Sequence, residues 1–188
     1  MKSWGVPLVL LLALACAGEK TTFPDNPPPQ RAPSAATTAP VESPSFSAET
    51  QKQVNDALDA YDDIRGTLSN DQTEGVAQAA ARLEIAATAA ASQSATPANG
   101  KLSAIAAEAS KVKVSGNLDQ TRVAFGGLSR AVVAFLDSEP SLAQKRHLFS
   151  CPMTKGYSKW VQSTKSIGNP YMGRKMIACG EEEQEWGI

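Results

Sequence analysis

The chain has 188 residues, which is enough for one domain of ordinary size with a segment to spare. Its 18 basic and 19 acidic side chains nearly cancel. Because no excess of positive charge is present to hold a phosphate backbone, the composition argues against a nucleic-acid partner.

Residues 1–15 have the features of a secretory signal peptide. Lys2 gives a positive start, and residues 6–15 form an uncharged apolar run that is too short to span a bilayer. The run ends at Cys16 in a pattern that resembles a bacterial lipobox, which implies that Cys16 is lipidated. An ordinary secreted protein cleaved nearby is the alternative. The resemblance favours a lipoprotein of the cell envelope, held by this anchor in the outer membrane and facing the periplasm.

Residues 16–46 form a separate segment in which most of the 12 prolines lie, mixed with Thr, Ser and Ala. Such a segment has too few apolar side chains to offset the entropy cost of folding. It therefore predicts an extended, lipidated tether. At about 3.1 Å per residue, a polyproline-like chain of this length would reach up to roughly 90 Å from the membrane.

Residues 47–181 are predicted to form the folded domain, beginning with two helices. Apolar residues at spacings of three and four indicate a first helix over residues 47–68, with Ser47 as its N-cap. Asp71 and Glu74 resemble a capping box and predict the start of a second helix, whose buried face is mostly alanine. The first stripe consists of Val54, Ala57, Leu58, Tyr61, Ile64 and Leu68.

Two further helices complete the predicted fold. A third runs through residues 102–112, and a fourth begins at Asn117 and stops near Pro140. Gly126 and Gly127 lie inside the fourth helix, at a cost of about 1 kcal/mol each unless helix packing compensates. No alternating strand pattern is visible, so we expect an all-α fold: a four-helix antiparallel bundle with an irregular C-terminal tail packed on it. The acidic residues 182–188 are expected to be a solvated tail.

Enzyme motifs are missing from the sequence. It has one histidine, no G-x-S-x-G, no H-E-x-x-H, no glycine-rich phosphate loop and no C-x-x-C. We therefore predict that the protein is not an enzyme and name no catalytic residue.

The chemistry-bearing residues are sulfur-containing side chains near the C-terminal end. In one interpretation Cys151 and Cys179 form a disulfide, the default for cysteines outside the cytoplasm. In the other, soft sulfur donors bind a cation such as copper(I), and His147 could add a nitrogen. If residues 173–179 are helical, the last three donors share one face. The donor set is Cys151, Met153, Met172, Met176 and Cys179.

The same region resembles a known family. Its ordered pieces are similar to the signature of domain of unknown function 3347, and the upstream segment containing Arg122, Phe125, Leu128 and Ser129 resembles that family's other recurrent segment. The likeness covers roughly residues 47–181. The positions that carry the signature are Cys151, Pro152, Met153, Trp160, Asn169, Pro170, Tyr171, Gly173, Met176, Cys179 and Gly180.

The resemblance implies a small helical domain of bacterial envelopes, found alone or fused to periplasmic adaptor subunits of copper and silver efflux pumps. It also implies heavy-metal handling, without assigning any catalytic residue. We therefore expect a lipoprotein that binds or buffers copper or a similar soft cation and is associated with a metal efflux complex. A non-catalytic interaction module locked by a Cys151–Cys179 disulfide is the alternative.

Overall fold

A computed structural model describes residues 46–95, 97–184 and 186 of the chain, and the structural statements below refer to these residues. The predicted signal peptide, the lipidation site at Cys16 and nearly all of the predicted tether lie outside them. Within the described part, no helix is both long enough and apolar enough to cross a membrane.

Four helices of 16 to 22 residues make up the larger part of the fold. They are α1 (Ala48–Ser69), α2 (Val76–Ser92), α3 (Ala98–Lys113) and α4 (Leu118–Leu136). Ser47 caps α1, because its hydroxyl accepts a hydrogen bond from the Thr50 N–H at 3.1 Å. Asn117 caps α4 in the same way, with the Gln120 N–H at 3.0 Å. The predicted N-cap of the first helix and the predicted start of the fourth are both confirmed.

The second helix starts later than predicted. Asp71 lies in the left-handed region with φ 59°, and α2 begins only after Gly75, which has φ 83°. The Asp71 carboxylate bonds the Arg122 side chain at 2.6 Å and the Arg174 N–H at 3.0 Å. The predicted capping box of Asp71 and Glu74 is therefore wrong, because that carboxylate holds the C-terminal region instead of the start of α2.

The four helices pack around one hydrophobic core. α2 lies against α1 and α3, and α3 lies against α4. Ala80, Ala87 and Ala90 of α2 are fully buried, and such small side chains allow neighbouring helices to approach closely. Between α1 and α4, the rings of Tyr61 and Phe125 stack with centroids 5.3 Å apart.

The part of the chain after α4 contains a small sheet that the sequence did not predict. A short helix, α5 (Pro140–Ala143), follows the stop near Pro140. Three strands come next: β1 (His147–Ser150), β2 (Lys159–Gln162) and β3 (Glu181–Glu182). Their order is β2-β1-β3, and β1 pairs antiparallel with both neighbours. The all-α prediction is therefore corrected: the described fold is mostly helical, with four packed helices and a three-stranded sheet.

Hydroxyl groups cover the outer edge of β2. The Tyr61 hydroxyl accepts a hydrogen bond from the Val161 N–H at 3.3 Å. The Lys159 carbonyl accepts hydrogen bonds from Ser129 at 2.9 Å and from Tyr171 at 2.7 Å. The hydroxyl oxygens of Tyr61 and Ser129 are 2.6 Å apart. An open strand edge leaves backbone groups unpaired, so these side chains both satisfy the edge and fix the sheet onto α1 and α4.

Both ends of the domain reach beyond the predicted limits. Glu182, expected in a solvated tail, pairs in β3, and its carboxylate lies 2.6 Å from His147 Nδ1. Phe46, expected to be the last tether residue, is only 9% exposed, and its ring lies 6.3 Å from that of Phe135. The start of the acidic segment therefore belongs to the sheet, and Phe46 belongs to the core.

Candidate functional site

Cys151 and Cys179 face each other at the end of the sheet. Cys151 follows β1 and is fully buried, whereas Cys179 precedes β3 and is partly exposed. Their sulfur atoms are 3.3 Å apart, and both are free thiols in the structure. Because β1 and β3 are neighbouring strands, the sheet brings together two residues that lie 28 positions apart in the chain.

The buried amide of Asn169 connects the two thiols. Its NH₂ group donates to the Cys179 carbonyl at 2.6 Å and is one of the groups that lower the pKa of the Cys151 thiol. Its oxygen accepts hydrogen bonds from the N–H groups of Tyr171 and Met172, at 2.9 and 3.0 Å. Both the nitrogen and the oxygen of this fully buried amide are therefore hydrogen-bonded, as a stable buried amide requires. The sequence indicated only that Asn169 and the proline after it would form a turn.

The two thiols differ in acidity. Burial by itself raises the pKa of the Cys151 thiol, but hydrogen bonds to its sulfur outweigh burial and leave that pKa lowered. The contact with the Cys179 thiol lowers it most, and Thr154, the Met153 backbone and Asn169 add smaller effects in that order. The pKa of Cys179 is raised, because its proton is held in the hydrogen bond to Cys151 and because burial opposes its ionisation. When the pair loses its first proton, the structure favours the thiolate on Cys151.

The methionines lie in the turns next to the thiols. Met153 is 59% exposed and lines a surface groove together with the partly buried Met172. Met176 is partly buried, and its carbonyl accepts a hydrogen bond from the Cys179 N–H at 2.9 Å. The two thiols are thus in direct contact, whereas the methionines lie on neighbouring backbone segments.

The single helical face of sulfur donors is not formed. Gly173–Met176 is one turn of 3₁₀ helix, and the residues after it form a turn. The spacing of Met172, Met176 and Cys179 places side chains on one face only when the whole segment is α-helical. That expectation is wrong, and a cation site would need these side chains to converge from separate turns.

Nitrogen and oxygen donors do not add to the thiol pair. The Nδ1 atom of His147, considered above as a nitrogen donor, faces the Glu182 carboxylate. Across residues 46–95, 97–184 and 186, no three His, Cys, Asp or Glu side chains are grouped as a metal site would need. A cation held here would therefore depend on sulfur, the donor that soft metals prefer.

No family model, curated protein or solved structure matches this chain. The resemblance to domain of unknown function 3347 stays a prediction, and functional conclusions rest on the site itself.

Trp160 packs beside the backbone that carries Cys179. The indole is fully buried, stacks on Phe149 with centroids 5.7 Å apart, and donates to the Gln162 side chain at 3.0 Å. A Cβ atom on Gly180 would come within 2.7 Å of the indole ring. Glycine at this position therefore allows the strand entering β3 to pass directly over Trp160.

A second set of contacts, the Asp71–Arg122 clasp, ties the turn after Asn169 to the helices. Arg122 of α4 donates to the Pro170 carbonyl at 2.9 Å, to the Leu68 carbonyl at 3.1 Å and to Asp71. The hydrogen bond from Arg122 lowers the pKa of Asp71, and a backbone N–H adds to the effect. Gly173 has φ 60°, and a Cβ there would collide with both clasp side chains. Sequence patterns gave no sign of this long-range contact.

Proposed function

We propose that this protein binds a soft, thiophilic cation, copper(I) foremost, between Cys151 and Cys179, and that it acts as a binding protein rather than an enzyme. The observation that carries the proposal is the 3.3 Å contact between two free thiols, with the lowered pKa on the buried one. Copper(I) prefers thiolate and thioether ligands, and a thiol that ionises readily is available as a ligand at lower pH.

The sulfur spacing supports a shared cation after a small movement. Two sulfurs that each lie about 2.3 Å from a tetrahedral metal are about 3.8 Å apart. The observed 3.3 Å contact would have to open by about 0.5 Å. Cys179 is the more exposed partner, so the cation enters from its side while Cys151 is held by the surrounding hydrogen bonds.

Methionine supplies the further donor in this proposal. Met153 follows Cys151 after one intervening residue. The Met176 carbonyl accepts a hydrogen bond from the Cys179 N–H, and the Met172 N–H donates to the side chain of Asn169. The exposed side chain of Met153 can change rotamer without disturbing the core. We therefore assign Met153 as the first candidate for a third ligand, with Met176 and Met172 after it.

A competition titration tests the proposal. The protein carrying Cys16→Ser, which leaves two of the three cysteines, is reduced and titrated with copper(I) under anaerobic conditions against a coloured chelator. We expect one equivalent to be withdrawn from the chelator. Cys151→Ser and Cys179→Ser should each weaken binding by at least about 100-fold, because each removes one of two thiolates.

Methionine variants then locate the third donor. Met153→Ala should weaken copper(I) binding by about tenfold, and Met176→Ala and Met172→Ala serve as matched comparisons of the same chemistry. Affinity should also rise with pH until both thiols ionise, because binding releases protons. Copper(I) binding that is as tight in the Cys151→Ser, Cys179→Ser double variant as in the parent would overturn the proposal.

The alternative is a non-catalytic interaction module in which the two cysteines form a disulfide. The same 3.3 Å contact favours it, because little movement separates these thiols from a bond. Oxidation would remove two protons and two electrons, which a disulfide oxidant such as oxidised glutathione takes up to give two thiols. Closing this loop stabilises a fold by roughly 3 to 4 kcal/mol in the chain-entropy model.

Alkylation in intact cells separates the two functions. A maleimide carrying a polyethylene glycol chain shifts the protein on a denaturing gel once for each reduced cysteine. Two shifts in the Cys16→Ser variant without added reductant favour cation binding. Shifts that appear only after reduction favour the disulfide-locked module.

We propose that this activity is located in the cell envelope, on a lipoprotein that is anchored through Cys16 and faces the periplasm at the end of its tether. There it would act beside a heavy-metal efflux complex. The lipobox-like pattern and the family resemblance support this placement. Metabolic labelling with palmitate tests the anchor: the parent should be labelled and Cys16→Ser should not. An unlabelled parent would exclude lipidation.

A further inference from the structure

A groove of about 570 Å³ lies between α4 and the segments that follow β1 and Asn169. Gly126 and Gly127 form its floor on α4, and the loop of residues 153–157 forms the opposite wall. The volume lies within the range of about 300 to 1,000 Å³ that is typical of small-molecule sites. Neither thiol lines this groove, although Met153 and Met172, two of the proposed thioether donors, do.

The apolar part of the lining is unusually open to solvent. Val123 is 79% exposed and Met153 is 59% exposed, and both belong to the small set of large hydrophobic side chains that the described residues leave at the surface. Tyr157 and Tyr171 add two aromatic rings. Exposed apolar side chains that line one concave site, with polar groups at its rim, are characteristic of a ligand surface.

The charged part of the lining is mostly positive. Arg122, Arg130 and Lys155 line the groove, against the single carboxylate of Asp119. Arg122 is already paired in the clasp. Neither Arg130 nor Lys155 forms an ion pair with a carboxylate of the described residues. Two cations are therefore free to meet an anion.

Arg130 and Tyr157 form a preorganised edge of the groove. The guanidinium carbon of Arg130 lies 5.0 Å from the centre of the Tyr157 ring, a cation–π contact that holds both side chains in place. Burial raises the pKa of Tyr157 to about 12. Its hydroxyl therefore keeps its proton at neutral pH and can donate a hydrogen bond to a ligand.

We propose that this groove binds a small amphipathic anion: an organic molecule with an apolar or aromatic body and one carboxylate, sulfonate or phosphate group. The body lies against Val123, Met153 and Tyr157, and the anionic group lies between Arg130 and Lys155. Charge complementarity sets the class of ligand, because a neutral or cationic molecule leaves both cations without a partner.

Fluorescence titration with 8-anilinonaphthalene-1-sulfonate tests the proposal on the reduced, metal-free chain. We expect saturable binding of one molecule. Lys155→Glu should weaken it by about tenfold, whereas Lys145→Glu, the same charge change at an exposed position away from the groove, should leave it within about twofold. Arg130→Gln should weaken it by about fivefold. Decanoate is then added as a competitor: displacement indicates an acyl anion as the natural class, and no displacement indicates an aromatic one.

Backbone amide shifts in NMR spectra locate the probe independently of affinity. The largest changes should fall at Gly126, Gly127 and Gly156, which line the groove. The proposal is overturned if Lys155→Glu and Lys145→Glu weaken the probe equally, if the probe does not saturate, or if the shifts lie elsewhere. Because the cysteines do not line the groove, Cys151→Ser should bind the probe as the parent does, so failure here and failure of the cation proposal are distinguishable.

Discussion

At the scale of single residues, Asn169 is a buried side chain that connects the two thiols to the turn after it. It donates to the carbonyl of Cys179, contributes to lowering the pKa of Cys151, and accepts a hydrogen bond from the Met172 N–H in the turn. The pKa of the Cys151 thiol therefore depends in part on the N–H donors of the Asn169 amide.

Asn169→Asp tests this dependence with almost no change in shape. The carboxylate keeps an acceptor for the turn, but it loses the N–H donors and adds negative charge beside the sulfur. We expect the pKa of Cys151 to rise, because its thiolate is no longer stabilised. Thiolate absorbance near 240 nm, followed against pH in the Cys16→Ser, Cys179→Ser background, reports this single thiol. An unchanged pKa would show that Asn169 does not act on Cys151.

The sequence could predict the location of the site but not its geometry. The proximity of Cys151 and Cys179 was expected as an outcome of either interpretation, and the structure brings them together. The effects on their acidity of the opposite thiol and of Asn169 come from tertiary contacts that leave no local pattern in the sequence. The prediction that Met172, Met176 and Cys179 share one helical face was wrong for a related reason. Their spacing implies one face only if the segment is an α-helix, and it is not.

At the scale of elements, the sheet was missed because its strands are too short and too buried to alternate. Leu148 and Phe149 are adjacent in β1 and both buried, and Trp160, Val161 and Gln162 are consecutive and buried in β2. Alternation appears only when one face of a strand meets solvent. Helices on one side and the neighbouring segments on the other bury both faces here.

The glycine pair inside α4 has an explanation that only the tertiary structure provides. A Cβ on Gly126 would lie in ordinary contact with Tyr157 and Tyr171, at 3.7 to 3.9 Å, and a Cβ on Gly127 would meet the Glu108 carboxylate at 2.5 Å. α4 nevertheless continues as α-helix from Leu118 to Leu136. The close approach of Glu108 therefore accounts for the glycine at position 127, whereas the space around Gly126 would accept a methyl group.

Gly173→Ala and Gly66→Ala should have opposite effects on stability. Gly173 holds a left-handed conformation, and a Cβ there meets the clasp, so alanine should lower the free energy of unfolding by about 2 to 3 kcal/mol. Gly66 lies in α1 with open space around it, so alanine should raise that free energy by about 0.5 to 1 kcal/mol. Urea denaturation measures both. Equal effects would mean that the turn at Gly173 adapts without cost.

At the scale of the whole molecule, the four helices were predictable because each buries one continuous stripe, and a stripe leaves a period of about 3.6 residues in the sequence. Where the domain begins and ends was less predictable. Phe46 sits in a proline-rich context and Glu182 in an acidic one, yet one packs on α4 and the other pairs in a strand. Composition characterises a segment without its tertiary contacts, whereas Phe46 and Glu182 are held in place by contacts with α4 and β1.

Stability should fall steeply in alkali. All three tyrosines, Tyr61, Tyr157 and Tyr171, have a raised pKa, chiefly through burial. The folded protein keeps these protons while the unfolded chain releases them near pH 10. The free energy of unfolding is therefore unaffected at neutral pH and falls above about pH 10, by up to about 1.4 kcal/mol per pH unit for each of Tyr61 and Tyr171.

Urea denaturation at pH 8, 10 and 11 measures this slope. Tyr171→Phe removes one ionising group and keeps the aromatic ring, so its free energy of unfolding should fall less steeply with pH than that of the parent. The slope is informative even if the variant is less stable at pH 8. Identical slopes would mean that Tyr171 ionises equally in the folded and unfolded states.

The order of the elements along the chain also sets the order in which surfaces are covered during synthesis. α1 and α4 leave the ribosome before β2 does, so the face formed by Tyr61, Phe125 and Ser129 stays bare until the strands arrive. Throughout that interval the nascent polypeptide presents aromatic rings and unsatisfied hydroxyls to chaperones and proteases. A translation product cut short before residue 147 would never hide them, so its survival depends on the strands that follow α4.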